Sequence, residues 1–149
     1  MAAITKSSGD GLAQYLKQVD ALDGRGIKVG VQAKAGTQDG VSLLDIAIYN
    51  ELGTQDIPAR PFIRDFAQKN ERVLGMAMDR VATRVEQGAP IDTALAQLGE
   101  FAQLRQQAHV RASKSWAVPN APSTVAQKGS DVPLVDHGTL VNAIRWEKV

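Results

Sequence analysis
Apolar residues recur along this chain in two periods, and the switches between them divide it into elements. Leu12, Tyr15, Leu16, Val19 and Leu22 follow helical spacing after Asp10, a residue suited to capping a helix, and Asp23-Gly24 closes the run. From Gly26 to Ala33 the period drops to two. Ile27, Val29, Val31 and Ala33 alternate with Lys28, Gly30 and Gln32, the pattern of a half-buried strand in which Gly30 marks a bulge or a close neighbour. Lys34 to Gly40 holds two glycines and reads as a loop, either an exposed turn or a flexible contact arm. Ser42 and Asp45 resemble a capping box ahead of Leu43, Leu44, Ile46, Ala47, Ile48 and Leu52. That helix is apolar on most sides, so it is either buried all round or faces another subunit.

The longest periodic run follows. Phe62, Phe66, Val73, Leu74, Ala77, Met78, Val81 and Val85 form one stripe, opposed by a face of mixed charge that includes Asp65, Lys69, Arg72, Asp79 and Arg84. Asp65 and Lys69 stand four apart in the favourable order. Gly88-Ala89-Pro90 ends this helix, and another runs from about Ile91 to Ala112 with Leu95, Leu98, Ala102 and either Phe101 or Leu104 inward. The stretch 113–133 then loses periodicity and gains proline, which predicts an extended loop or arm. Asp136 is placed to cap a short helix through Leu140, Val141 and Ile144. Alternation in Arg145–Val149 predicts a second strand that pairs with Ile27–Ala33. Two strands alone are marginal in water, so helices cover them or other subunits extend them.

Between the second and third helices lies a stiff elbow, Tyr49 to Arg64. Gly53 closes one helix with a left-handed backbone, Pro58 and Pro61 fix their own φ and constrain the residues before them, and Pro61 suits the start of the next helix. Arg60 is either a surface ion pair or a fork that binds carboxylate or backbone carbonyls across the joint. The predicted architecture is one α+β domain over residues 1–149. A small antiparallel sheet packs against several helices, one of them long and central, with a flexible N-terminus at residues 1–11.

Composition narrows the function classes. Lys+Arg of 17 against Asp+Glu of 16 gives a formal net charge of +1, which argues against binding nucleic acid or anionic membrane by bulk charge. A small nucleic-acid binder using the arginines of the long helix is the alternative of another class. The absence of cysteine excludes disulfides and thiolate chemistry. No run is long and apolar enough for a membrane span, and no signal peptide is read, so a cytosolic product is expected. Neither a nucleophile elbow nor a phosphate loop nor a zinc-binding helix motif occurs. His109 and His137 each lack a ligand-spaced partner and read as structural or surface residues. No enzyme, cofactor or metal is expected. Trp146, in an alternating run, reads as a core or interface anchor, although either it or Trp116 could stack on a ligand.

Two separated segments carry a resemblance. Tyr49-Asn50-Glu51-Leu52-Gly53-Thr54 with Ile57-Pro58-Ala59-Arg60-Pro61-Phe62, and then Lys128 to Ile144 with Leu134, Asp136, Gly138 and Leu140, together resemble the neck or tail-completion proteins of tailed bacteriophages. That group includes the HK97-type tail component and the Mu-type virion morphogenesis proteins. The likeness covers roughly residues 27–149 and departs from the pattern at His137, where Thr is usual, and at Thr139, where a basic residue is common. It implies an α+β protomer in a ring, commonly of six copies, that completes the tail and joins the tail tube to the head connector. A tail terminator or head-completion protein is the sister role. The partners implied are other copies and the neighbouring connector, terminator and tube proteins, with DNA only passing through the lumen and no membrane contact. The implied location is the virion, after synthesis in the bacterial cytoplasm. On this reading Glu51, Gly53, Pro58, Arg60, Pro61 and Phe62 form the elbow or interface, and Leu134, Asp136, Gly138, Leu140 and Trp146 set how the closing segment docks. Stretch 113–133 would cross to an adjacent protein and become ordered on assembly.

Overall fold
The computed structural model describes residues 9–149, with side chains from Gly11 onward. Of the flexible N-terminus expected at 1–11, residues 1–8 and the capping side chain of Asp10 lie outside that range. Residues 9–11 already belong to helix α1 (Gly9–Leu22). The chain continues through strand β1 (Ile27–Val31), a hairpin of β2 (Thr37–Gln38) and β3 (Val41–Ser42), and α2 (Leu43–Leu52). Then come α3 (Phe62–Glu86), α4 (Ile91–Arg111), a 3-10 turn (Ser113–Ser115), α5 (Pro122–Lys128), α6 (Thr139–Ala143) and β4 (Ile144–Lys148). Helices packed on small antiparallel strand pairs make this an α+β fold.

The two periods seen in the sequence meet in one layer arrangement. β1 pairs antiparallel with β4, Ile27 opposite Lys148 and Val31 opposite Ile144, without a break in register. Gly30 therefore marks no bulge. A Cβ there would meet nothing within 4 Å, but its φ of 155° is one that L side chains rarely adopt and glycine enters freely. α4 packs across both strands, α3 lies against α4, and α2 and α6 close the end near Val31. The core gathers Ala47, Phe62, Val110, Leu134, Leu140, Val141 and Ile144, with Val29, Val31, Trp116 and Val135 packed against it. Burying each large side chain of that set contributes about 1.5–3 kcal/mol.

Several local expectations differ from the structure for identifiable reasons. Residues 34–40 are a loop only in part, because Thr37 and Gln38 form a strand within them. Asp39 and Gly40, at φ 51° and 82°, make the two-residue turn of a hairpin that pairs Thr37 with Ser42. Ser42 thus belongs to a strand and gives α2 no side-chain cap, so the capping box is not formed. Asp136 is not a helix cap either: α6 is entered through Gly138 in the left-handed region, and the Asp136 carboxylate instead accepts from Gln38 Nε2 at 3.2 Å. Ile144 opens β4 and does not close the helix.

Stretch 113–133, expected as an extended arm, is folded back on the domain. Ser113 is fully buried, Trp116 Nε1 donates to the His109 carbonyl at 2.9 Å, and α5 occupies the middle of the stretch. Pro122 stands at the first helical position, where its missing N–H costs nothing, and Gly129 closes the helix in the left-handed region. On α4 the choice between Phe101 and Leu104 resolves to Phe101, because Leu104 is 62% exposed.

Candidate functional site
The elbow is built by α2 and α3 reaching for one another. α2 ends at Gly53, whose N–H donates to the Tyr49 carbonyl at 2.8 Å. Its φ and ψ of 76° and 166° are open to glycine alone, and an added Cβ would stand 2.9 Å from Ala59 N. Thr54 then folds the turn, its hydroxyl accepting from the Ile57 N–H at 3.0 Å and its own N–H donating to the Ile57 carbonyl. The Arg60 N–H returns to the Asn50 carbonyl at 2.6 Å, so both ends of the turn are tied. Pro58 is exposed within it, and Pro61 sits immediately before the first residue of α3.

Glu51 joins the two helices directly. Its carboxylate accepts from the Ile63 N–H at 2.9 Å and the Arg64 N–H at 3.1 Å, which are unpaired donors of the first turn of α3. A negative charge at that end is also favoured by the helix dipole. Phe62, fully buried beside this cap, drives the start of α3 into the core.

Arg60 adopts the fork and not the surface pair. It is 8% exposed, its Nε donates to the Val118 carbonyl at 2.8 Å and its Nη2 to the Pro119 carbonyl at 3.2 Å. Among the described residues no carboxylate takes part. Burial lowers its proton affinity below the ordinary arginine value. One residue of the elbow thereby fastens the segment after α4. Lys128 reinforces the same region by donating to the Val132 and Pro133 carbonyls at 3.2 and 3.4 Å. Its ammonium is also less basic than usual, chiefly from burial, with Asp136 opposing and Arg60 adding to the effect.

The second motif meets the first in the core. Leu134 and Leu140 share the apolar cluster with Phe62, and Gly138 turns the chain between them at φ 72°. Asp136 faces outward to the hairpin through Gln38, and its neighbour His137 is 84% exposed. Trp146 stands apart from the elbow. It packs on α4 over Gly99, and its main-chain N–H donates to Gln103 Oε1 at 3.0 Å.

Two further groups had no distinct signal in the sequence. His109, on the face of α4 toward α3, stacks on Trp116 with centroids 4.4 Å apart and planes 10° from parallel. Its Nε2 is 2.8 Å from Asp65 Oδ2, in ion-pair range but without hydrogen-bond alignment. The same carboxylate oxygen takes Lys69 Nζ at 2.9 Å. Burial makes His109 less basic than a free imidazole, Asp65 opposing that effect and Lys69 adding to it. The other group is Gln103 and Gln107, whose carboxamides lie along β4. Gln107 Nε2 donates to the Ile144 carbonyl at 3.0 Å.

Apolar surface remains open around this frame. Ile48 and Leu52 on α2, Ile63 and Met78 on α3, and Leu12 and Leu16 on α1 are all exposed. A cavity of about 480 Å³ runs between β1, α3 and α4, and a smaller one of about 180 Å³ continues past Val31 to α2, with Ile63 lining both. Among the described residues no helix is long and apolar enough to cross a membrane. No family model, curated protein or solved structure matches the chain.

Proposed function
We propose that this chain is a non-catalytic structural subunit of the neck of a tailed bacteriophage, completing the tail and joining the tail tube to the head connector. On this reading it acts within a ring of copies, commonly six, bound to neighbouring connector, terminator and tube proteins. DNA passes through the lumen without being read. The protein is made in the bacterial cytoplasm and resides in the virion.

The observation that carries the reading is the meeting of the two resembling segments. Residues about seventy positions apart, Phe62 against Leu134 and Leu140, share one cluster, and Arg60 latches the chain that leads from one segment to the other. A rigid joint of this kind holds the outward faces of α2 and α3 at a set angle, as a subunit needs when neighbours must find it in register. The exposed apolar residues of α1, α2 and α3 suit surfaces completed by other chains. In a cyclic ring such contacts are heterologous, one face meeting a different face of the next copy. The charged face of α3 alternates Glu71 with Arg72 and Asp79 with Arg80, which suits a surface that does not hold passing DNA.

Electron microscopy of intact tailed particles, with this chain labelled, tests the proposal. Density at the head–tail junction supports it. Particles that join heads to tails normally in the absence of the chain contradict it.

A further inference from the structure
The two outer edges of the β1–β4 pair differ. Gly26 and Val149 exchange both main-chain hydrogen bonds, at 3.1 and 3.0 Å, so by alternation Lys28–Glu147 and Gly30–Arg145 are the inward-bonded pairs. The N–H and C=O groups of Ile144, Trp146 and Lys148 therefore point away from β1. Those of Ile27, Val29 and Val31 point away from β4. On the β4 side α4 supplies partners: Gln107 Nε2 donates to the Ile144 carbonyl and Gln103 Oε1 accepts from the Trp146 N–H. On the β1 side no hydrogen bond from the described residues reaches Ile27, Val29 or Val31. Among the described residues, the β4 edge is plugged at Ile144 and Trp146, and the β1 edge is open.

The open edge borders the 480 Å³ cavity. Ile27 and Val29 form one wall, and Phe66, Leu74 and Met78 of α3 form the floor. Gln106 lines it as well. That side chain is 1% exposed, and its carboxamide oxygen has no hydrogen-bond partner among the described residues. A buried acceptor left unpaired costs about 1–3 kcal/mol, so it points to a donor from beyond those residues.

We propose that the β1 edge is a docking site for an extended strand donated by a partner polypeptide. The row of alternating donors and acceptors on Ile27, Val29 and Val31 matches an extended backbone and no other common form. The apolar floor takes side chains from every second position of that strand. About five residues, or roughly 17 Å, cover the edge.

The strand must come as a bare segment. α3 already occupies the layer beneath the position beside β1, so the β1 of a second folded copy, carrying its own helices on the same face, would meet α3. Continuation through the β4 of another copy is obstructed by Gln103 and Gln107, which occupy that edge at Ile144 and Trp146. This goes beyond the neck reading and does not depend on it, because the edge is a property of the single chain.

The test uses the full-length protein, isotopically labelled and titrated with a short blocked peptide of alternating threonine and valine. Saturable shifts at the amides of Ile27, Val29 and Val31 and at the Gln106 carboxamide are expected. Val29→Pro removes one outward N–H without touching the β1–β4 ladder and should weaken binding about tenfold or more. Met78→Glu, at an exposed position on the floor, should weaken it as well, while Val29→Thr should not. Binding unchanged in both Val29→Pro and Met78→Glu overturns the proposal. So does the absence of saturable shifts, or shifts confined to the exposed stripe of α1. Concentration-dependent protection of the same three amides in the protein alone would assign the edge to self-association and overturn it too.

Discussion

Trp146 lies with its indole against the bare backbone of Gly99, so closely that a Cβ on Gly99 would clash with the ring, with even Cγ only 2.7 Å away. α4 carries a poor helix former at its centre, at a cost of about 1 kcal/mol against alanine, because the helix must approach the sheet there.

Gly99→Ala should therefore destabilise the protein by about 1–3 kcal/mol despite the better helix propensity, with a change in tryptophan fluorescence. In a Trp146→Leu background the same substitution should be close to neutral or stabilising. Urea unfolding of the four variants in this cycle measures the coupling, and additive effects would show that the contact is not tight.

Glu51→Ala should cost about 1 kcal/mol, since two N–H groups at the start of α3 lose their acceptor. Glu51→Gln should lose less, because a carboxamide oxygen can still accept. Chemical denaturation orders the three proteins. Hydrogen exchange should place the loss at Ile63 and Arg64 and not along α4.

Arg60→Ala should destabilise by about 1–3 kcal/mol, as it removes a buried guanidinium whose two hydrogen bonds hold the Val118 and Pro119 carbonyls. Arg60→Lys keeps the charge but not the planar fork, and should recover only part of the loss. Limited proteolysis reads the consequence directly. Cleavage within 116–121 should accelerate in the order wild type, Lys variant, Ala variant.

The His109 imidazole gives stability a pH dependence of defined sign. Burial holds its folded-state affinity for protons below that of the unfolded chain, with Asp65 opposing and Lys69 adding. The stabilisation is thus fully present above the unfolded value of about 6.5 and is lost as pH falls through the folded value. Thermal melts of wild type and His109→Gln should converge as the pH is lowered through this window from above 6.5. Asp65→Asn removes the opposing charge and should move the loss to lower pH. A difference between wild type and His109→Gln that stays flat over the same range would contradict the assignment.

Much of the frame was legible in the sequence where one physical cause dominates. The stripe from Phe62 to Val85 and the stop at Gly88-Ala89-Pro90 mark α3, which ends at Glu86. The alternation of Ile27, Val29 and Val31 with that of Arg145–Val149 marks the two strands that pair. Capping was read less well. Asp136 and Ser42 have the right chemistry for caps, but Asp136 is held by Gln38, ninety-eight residues away, and Ser42 is taken up by a hairpin. The Asp39-Gly40 turn did have a signal, the dipeptide that accepts positive φ at both positions.

The segment after α4 and the edge of β4 were hidden for a different reason. Proline, serine and asparagine in 113–133 indicate a missing period, and what anchors that stretch is Arg60 from the elbow and the buried hydroxyl of Ser113, which accepts from the Leu134 N–H at 3.4 Å. Likewise Gln103 and Gln107 look like ordinary polar positions of a helix until β4 is placed beside them. Of the elbow, the glycine and prolines could be read from their backbone restrictions. The role of Glu51 as a cap for the following helix could not, because it spans twelve residues and a turn.

The central proposal, that a donated strand completes this chain along the β1 edge, is tested most directly by amide hydrogen exchange at Ile27, Val29 and Val31 in the free protein and in its complex with the strand peptide. Fast exchange in the free chain and strong protection in the complex is the expected result, with Ile144 and Trp146 unchanged. Equal rates in both states, or protection that appears along β4 instead, would contradict it.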